Sequence, residues 1–315
     1  MTTMSNAFDV RYVKLHFTLQ FTEDTIMPVY KSSAIRGGIG EMLLRANCVR
    51  DRKCDQCDFE SECIVRRALY PKMEIQPAFM SQGDSIGYSI ECEDYHDNFK
   101  AGDTIRFNLL LFGKTIVFFN QFLNALYSLG IQGIGKEKSH YLIQDVTNSI
   151  GKSLLDHGNI LMGHYEIQKI NDYIEYRMKQ LSEADIITIQ FQSPVSLRYN
   201  KEELKEFTVD AVFESLQRRM YMLDCLEGIP AVMPKRAECD YSNVCVLGEE
   251  HVPAQVRRYS NHQNSAMYLR GISGKLVVTC LTDEQLRLLA AGEIIHVGKA
   301  VSFGFGRYRL FPGFR

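Results

Sequence analysis

The residues best equipped for chemistry lie near the end of the chain, in His296-Val297-Gly298-Lys299-Ala300-Val301-Ser302-Phe303-Gly304-Phe305-Gly306-Arg307-Tyr308. Glycine permits backbone angles and close approaches that a Cβ forbids, so such a loop can carry main-chain N–H groups up to a phosphate while Lys299 and Arg307 supply charge. A glycine-rich hairpin without a ligand is the alternative reading of the spacing alone. A second constellation stands near the front: Cys48, Cys54, Cys57 and Cys63, the central pair at C-x2-C spacing. Four thiolates so close in sequence can close a tetrahedral zinc site that folds a polar loop. An iron-sulfur cluster is the second candidate, and unliganded cysteines are the third.

The wording of the loop says more than its spacing. His-Val-Gly-Lys followed by Phe-Gly-Phe-Gly-Arg-Tyr resembles the C-terminal glycine-rich motif of the CRISPR-associated RAMP endoribonucleases, which cut CRISPR precursor RNA into guide RNAs. Arg257-Arg258-Tyr259-Ser260-Asn261-His262-Gln263 and Met267-Tyr268-Leu269-Arg270-Gly271-Ile272-Ser273-Gly274 are similar to the segment that precedes that motif. The resemblance implies RNA binding by Arg257, Arg258, His262, Arg270, His296, Gly298, Lys299, Gly304, Gly306 and Arg307. It also implies a partner, CRISPR repeat RNA or the guide RNA made from it, and service to a CRISPR effector complex. Cysteine clusters are similar to those in part of the family.

The family's reaction, by the same resemblance, needs no metal or other cofactor for catalysis. The ribose 2′-OH attacks the adjacent phosphorus, leaving a 2′,3′-cyclic phosphate and a 5′-OH end, and this requires a base, an acid and cations for the phosphorane charge. Many members place a histidine near the first helix. This chain has none between His16 and His96. The expected site is therefore Tyr30, Lys31 and Arg36, with His16 as the alternative catalyst. On residue type alone, the basic residues among these read as solvated charge and His16 as a surface or groove residue.

The elements must position these groups. Val13, Leu15, Phe17, Leu19 and Phe21 alternate with polar residues, which predicts a half-buried strand with His16 on its polar face. Ser32 or Ser33 is expected to cap a helix over 34–46, whose Gly37, Gly38 and Gly40 suggest close approach to another backbone. Strands are expected over 85–91, 104–112 and 140–146, with a helix over 115–129. The order repeats: strand 185–192, helix 209–226, strands 252–259 and 267–280, a helix over 283–291 capped by Thr282, and a strand pair around the glycine-rich loop from 293 to 310. The expected fold is α+β, two tandem ferredoxin-like (RRM-like) domains with a C-terminal glycine-rich loop. The first domain, 1–178, carries the cysteine cluster and the second, 179–315, binds RNA; a charged stretch over 172–184 joins them.

With 315 residues, 45% hydrophobic content and a net charge of -2, the chain can bury substantial cores but has no global basicity to announce a nucleic-acid partner. Trp is absent, so base stacking falls to Tyr, Phe, His or Arg. No apolar run reaches the length of a membrane span and no signal peptide is seen, which together with nine cysteines predicts a cytoplasmic protein without a membrane partner. The leading function is an endoribonuclease that processes CRISPR precursor RNA. The alternative is a non-catalytic guide-RNA-binding subunit, and a metal-dependent nuclease is a third class that lacks the spaced carboxylates it needs.

Overall fold

The computed structural model describes residues 8–71, 73, 77, 79–80, 85–233, 239–260 and 265–313. His262 lies outside them. The chain forms two compact units: an N-terminal unit of 12–167 with 258–267, and a C-terminal unit of 1–11, 168–257 and 268–315.

The N-terminal unit is built on β1 (Arg11–Phe21), α1 (Lys31–Asn47), α2 (Ile64–Leu69), β2 (Tyr88–Glu91), β3 (Thr104–Phe112), α3 (Phe119–Gln132) and β4 (Tyr141–Thr147). Its antiparallel sheet runs in the order β2-β3-β1-β4. The expected alternation in β1 holds, with Val13, Leu15, Phe17, Leu19 and Phe21 buried in one core with Ile35, Ile39, Met42 and Leu43 of α1 and Phe122, Leu126 and Leu129 of α3. Both helices thus cover the apolar face, and the side chains of Lys14, His16, Thr18 and Gln20 belong to the other. Gly38 explains how closely α1 and α3 pack, since a Cβ there would lie 2.4 Å from Leu129 Cδ2. Gly37 has open space around it, and Gly40 would meet only an ordinary contact.

α1 starts at Lys31, so Ser32 and Ser33 lie inside the helix and are not its cap. The cap position is Tyr30, whose side chain makes no capping hydrogen bond. Burial of Lys31 and Ser32 fixes this first turn in place of capping.

The C-terminal unit contains α4 (Ile170–Leu181), β5 (Ile186–Phe191), α5 (Val209–Glu227), most of β6 (Cys245–Ser260) and β7 (Ser265–Thr279), α6 (Asp283–Ile295) and β8 (Tyr308–Gly313). Its sheet has the order β6-β7-β5-β8, with β5 antiparallel to β7 and β8. The stretch 172–184, expected as a charged connection, is mostly helix, because Ile170, Ile174, Met178 and Leu181 recur at helical spacing and bury one face.

Thr282 caps α6 as expected, in a capping box with Gln285. The helix runs on to Ile295, so residues 293–295 are its last turn and not a strand. A buried network holds that turn: Arg177 Nε donates to Glu293 Oε2 at 2.6 Å, and Leu310 N donates to Glu293 Oε1 at 2.9 Å. No helix among the described residues is long and apolar enough to cross a membrane.

Candidate functional site

Four side chains were expected to supply the chemistry of the N-terminal unit, and the fold separates them. Lys31 is buried, and its ammonium donates to the carbonyl of Asp94 at 2.8 Å and to that of His96, with Asp94 Oδ1 at 3.5 Å. All three donors of an ammonium are accounted for by these partners. Lys31 therefore ties the segment from Asp94 to His96 onto the start of α1. Tyr30, next to it, is half-buried with its ring centroid 6.5 Å from that of Tyr95.

Arg36, a turn and a half further along α1, donates from Nη2 to Ser85 Oγ at 3.0 Å. Burial pulls its pKa down, but interactions with Tyr88 and Tyr70 outweigh that and leave it above its ordinary value. Arg258, from the 258–267 segment of the same unit, has its pKa lowered, first by burial and then by the like charge of Arg36, with Tyr70 acting the other way. Two guanidiniums far apart in sequence are thus within electrostatic reach of each other and of the same tyrosine. Partial burial raises the cost of that repulsion, and an anion set against both would relieve it. Such a pair suits a phosphodiester, whose charge grows on its oxygens as a phosphorane forms.

His16 is not part of this group. It lies on the sheet face opposite the helices, whereas Arg36 projects from α1. Its Nδ1 is 2.6 Å from Asn108 Oδ1 on β3.

In the C-terminal unit the glycine-rich loop is a tightly packed knot. The amide of Val297 donates to Gly306 O, that of Lys299 to Ser196 O and that of Gly306 to Pro194 O. Gly298 N donates to Ser215 Oγ at 2.8 Å, and Arg307 N to Ser193 Oγ at 3.0 Å. Phe303, Gly304 and Phe305 donate to carbonyls inside the loop. Most of the amides expected to meet a phosphate are therefore spent on the protein. Gly306 (φ +78°) is required here, as a Cβ would fall 1.8 Å from Val297 O. Gly304 has a left-handed backbone as well.

His296 is fully buried at the end of α6 and Arg307 is also buried, while Lys299 is exposed. On the hairpin, Arg257 and Arg270 are exposed, and Tyr268, two residues before Arg270 on the same strand face, is 54% exposed. Of the residues expected to bind RNA in this unit, Lys299, Arg257 and Arg270 are solvent-facing, with Tyr268 exposed beside Arg270.

The four clustered cysteines are free thiols, all partly buried. The backbone N–H of Arg52 donates to Cys48 Sγ at 3.2 Å, across a turn in which Asp51 and Arg52 both have positive φ. The Cys54 thiol is pushed up by burial and also by Cys48, Cys63 and Cys57, with Arg66 opposing. The four sulfurs therefore sense one another, although among the described residues no three candidate ligands are assembled around a common metal position.

Known proteins give this arrangement a context. Residues 10–169 match the AF_1859_N family of N-terminal domains. Residues 189–308 match the family of the CRISPR-associated endoribonuclease Cas6. The chain belongs to the AF_1859_N family, and its C-terminal part is similar to the Cas6 endoribonuclease family. An uncharacterized protein of Archaeoglobus fulgidus is 22% identical over 310 residues, covering 96% of this chain and 99% of that one.

Among solved structures, a chain of a partial Cas6-RT-Cas1–Cas2 complex is similar with a TM-score of 0.56 and 12% identity over 97% of this chain. This chain spans 47%, about half, of that longer polypeptide. A Cas6 product complex has a TM-score of 0.54 at 14% identity, and Thermus thermophilus Cas6 one of 0.51 at 13%; each comparison covers 96% of this chain and 99% of the other. These likenesses establish a Cas6-like fold of mixed helices and antiparallel sheets.

Within this Cas6-like chain the sequence reading missed Tyr70, Tyr88 and Ser85 around Arg36, and Asn108 beside His16. Nothing in their local spacing marks them, because their neighbours come from distant segments. Only Asn108 could have been found, as the residue facing His16 once β1 and β3 are paired in register.

Proposed function

We propose that this protein cleaves CRISPR precursor RNA within its repeats, without a catalytic metal, by attack of a ribose 2′-OH on the adjacent phosphorus. The P–O5′ bond breaks as the 2′-O–P bond forms, giving a 2′,3′-cyclic phosphate and a 5′-OH end. The single observation that carries this reading is the electrostatic influence of Arg36 on Arg258, one expected in catalysis and the other in RNA binding, with Tyr70 acting on both. In this assignment the two guanidiniums bear the phosphorane charge. In the same assignment Tyr30 and Tyr70 exchange protons with the 2′-oxygen and the departing 5′-oxygen, and Lys31 serves the fold by tying the segment from Asp94 to His96 onto α1. Arg257, Tyr268, Arg270 and Lys299 hold the flanking RNA; His296, Gly298, Gly304, Gly306 and Arg307 shape the loop that presents Lys299.

The strand orders β2-β3-β1-β4 and β6-β7-β5-β8, each with helices after the first and third strands, support reading both units as ferredoxin-like. Cys48, Cys54, Cys57 and Cys63 are assigned to a structural zinc, with an iron-sulfur cluster as the alternative. The electrostatic influence of Cys48, Cys57 and Cys63 on Cys54 supports either assignment, since both bind thiolates. A bound metal would stabilise the loop over 48–63 and take no part in the cleavage. Elemental analysis should give about one zinc per chain, falling to none in Cys54→Ser/Cys57→Ser.

Incubation of end-labelled repeat RNA with the protein in EDTA tests the function. Cyclic-phosphate product from the wild type, with single-turnover rates on the order of a hundredfold lower in Arg36→Ala and Arg258→Ala, is the expected result. His262→Ala belongs in the same series because it lies four residues beyond Arg258 in sequence. Binding without cleavage would support the alternative, a guide-RNA-binding subunit of an effector complex. That reading is favoured by the separation of His16 from the arginine pair.

A further inference from the structure

The polar face of the N-terminal sheet carries a hydrogen-bond chain that the arginine site does not use. Lys14 Nζ lies 2.8 Å from Glu91 Oε2, and Asn108 Nδ2 donates to the same oxygen at 2.7 Å. The Glu91 side chain is only 1% exposed, so this carboxylate is a fixed acceptor inside the fold. It dictates how the Asn108 amide is turned, because the reverse orientation would set carbonyl oxygen against carboxylate. Asn108 Oδ1 then faces His16 Nδ1 at 2.6 Å and can only accept. Nδ1 of His16 must therefore carry a proton, and the Nδ1–H tautomer of the imidazole presents Nε2 as its acceptor.

Three strands take part in holding one imidazole in one tautomer: β1 with Lys14 and His16, β2 with Glu91 and β3 with Asn108. One residue pair further along the same face, Thr18 stands opposite Arg106, which is exposed. The acidic group on the neighbouring strand, Asp145, is engaged by Ser153 Oγ at 2.6 Å and by the amide of Val146.

We infer that this face is a second ribonucleotide-binding site, where the Nδ1–H tautomer of His16 accepts a hydrogen bond at Nε2 from a ribose 2′-hydroxyl and Arg106 contacts an adjoining phosphate. An acceptor nitrogen does not bind phosphate, which offers only acceptors itself, but it does bind a hydroxyl, and the 2′-hydroxyl is what distinguishes RNA from DNA. Asn108 and Glu91 are positioning residues that act through His16. The proposal rests on the RNA-processing reading and gives it a second contact, on the sheet face turned away from α1 and Arg36.

The test uses the whole protein and repeat RNA made uncleavable by one 2′-deoxy substitution at the cleaved nucleotide. A second 2′-deoxy group is walked through the other positions, and affinity is read by fluorescence anisotropy. The wild type should lose about fivefold at one or two positions away from the cleavage site. His16→Ala and Asn108→Ala should bind more weakly and show no further loss at those positions. Arg106→Ala, an exposed change that leaves the buried chain intact, should weaken all the RNAs alike and flatten the salt dependence of binding by roughly 0.7 log units.

A 2′-deoxy profile unchanged in both His16→Ala and Asn108→Ala overturns the proposal. So does a His16→Ala protein that keeps full affinity but cleaves unmodified RNA slowly, which would make His16 a proton-transfer group. A wild type that cuts RNA yet shows no 2′-deoxy sensitivity away from the cleaved nucleotide sinks this inference alone. A wild type that binds no repeat RNA removes the functional reading with it.

Discussion

Arg36 and Lys31 are both basic residues in the first two turns of one helix, and their surroundings give them different tasks. The Lys31 ammonium is enclosed by two carbonyls and the Asp94 carboxylate, and its Nζ lies 5.1 Å from the Phe99 ring centroid. It has no donor left for a substrate. Arg36 instead acts on a second guanidinium, lowering the pKa of the partly buried Arg258, and an anion set against that group would offset the repulsion. Replacing Lys31 with Met should therefore act on stability, because it leaves buried acceptors without a donor at a cost of about 1 to 3 kcal/mol. Denaturant unfolding checks this, and cleavage by the folded fraction should stay near the wild-type rate. A large loss of single-turnover rate with unchanged stability would return Lys31 to the chemistry. Sequence alone could name Lys31 and Arg36 together but could not separate them, since burial by Asp94 and His96 is a tertiary fact.

At the scale of elements, the glycine-rich loop and α5 give two tests of packing. Gly306 approaches Val297 O too closely for any side chain, and its φ of +78° is costly for other residues. Gly306→Ala should lower stability by more than about 1 kcal/mol and weaken RNA binding through displacement of Lys299. A variant as stable as wild type would show that the knot relaxes readily. Asp224, buried on α5, has its carboxyl pushed up to about 7 by burial first and then by Asp9 and Glu227.

With the folded-state value above the unfolded one, the folded protein holds the extra proton, so stability should fall as pH rises from about 4 to about 7 and level off above that. The span corresponds to a few kcal/mol at most. Asp224→Asn should remove this slope, and urea midpoints between pH 4 and pH 8 measure it; an unchanged slope in the variant would assign the effect to other groups.

The same scale shows what a sequence makes legible. The alternation in β1 and the Thr282 cap of α6 are local signals, and both match the structure. The charged residues after Ile170 suggested a connection, but they form the outer face of a helix whose buried stripe of Ile170, Ile174, Met178 and Leu181 decides the matter. The apolar run ending α6 reads equally well as strand or helix over so few residues. It is settled by Arg177 and Leu310, which clamp Glu293 from other elements.

Over the whole molecule, the C-terminal motifs carry the kinship while the catalytic candidates lie elsewhere in the chain. The glycine-rich wording pointed to the family, but the loop spends most of its amides on its own packing and exposes Lys299 from it. The arginine pair depends on bringing segment 258–267 into the unit that contains α1, a long-range contact invisible to spacing. The central claim is that Arg36 and Arg258 together bear the charge of a metal-independent cleavage. The measurement that tests it most directly is single-turnover cleavage of repeat RNA in EDTA by wild type, Arg36→Ala, Arg258→Ala and the double variant, with affinity measured alongside. The account predicts a 2′,3′-cyclic phosphate product, single losses on the order of a hundredfold, and a double loss well short of their product because the two groups act on one phosphate. Full activity in either single variant, or cleavage that appears only when Mg²⁺ is restored, would contradict it.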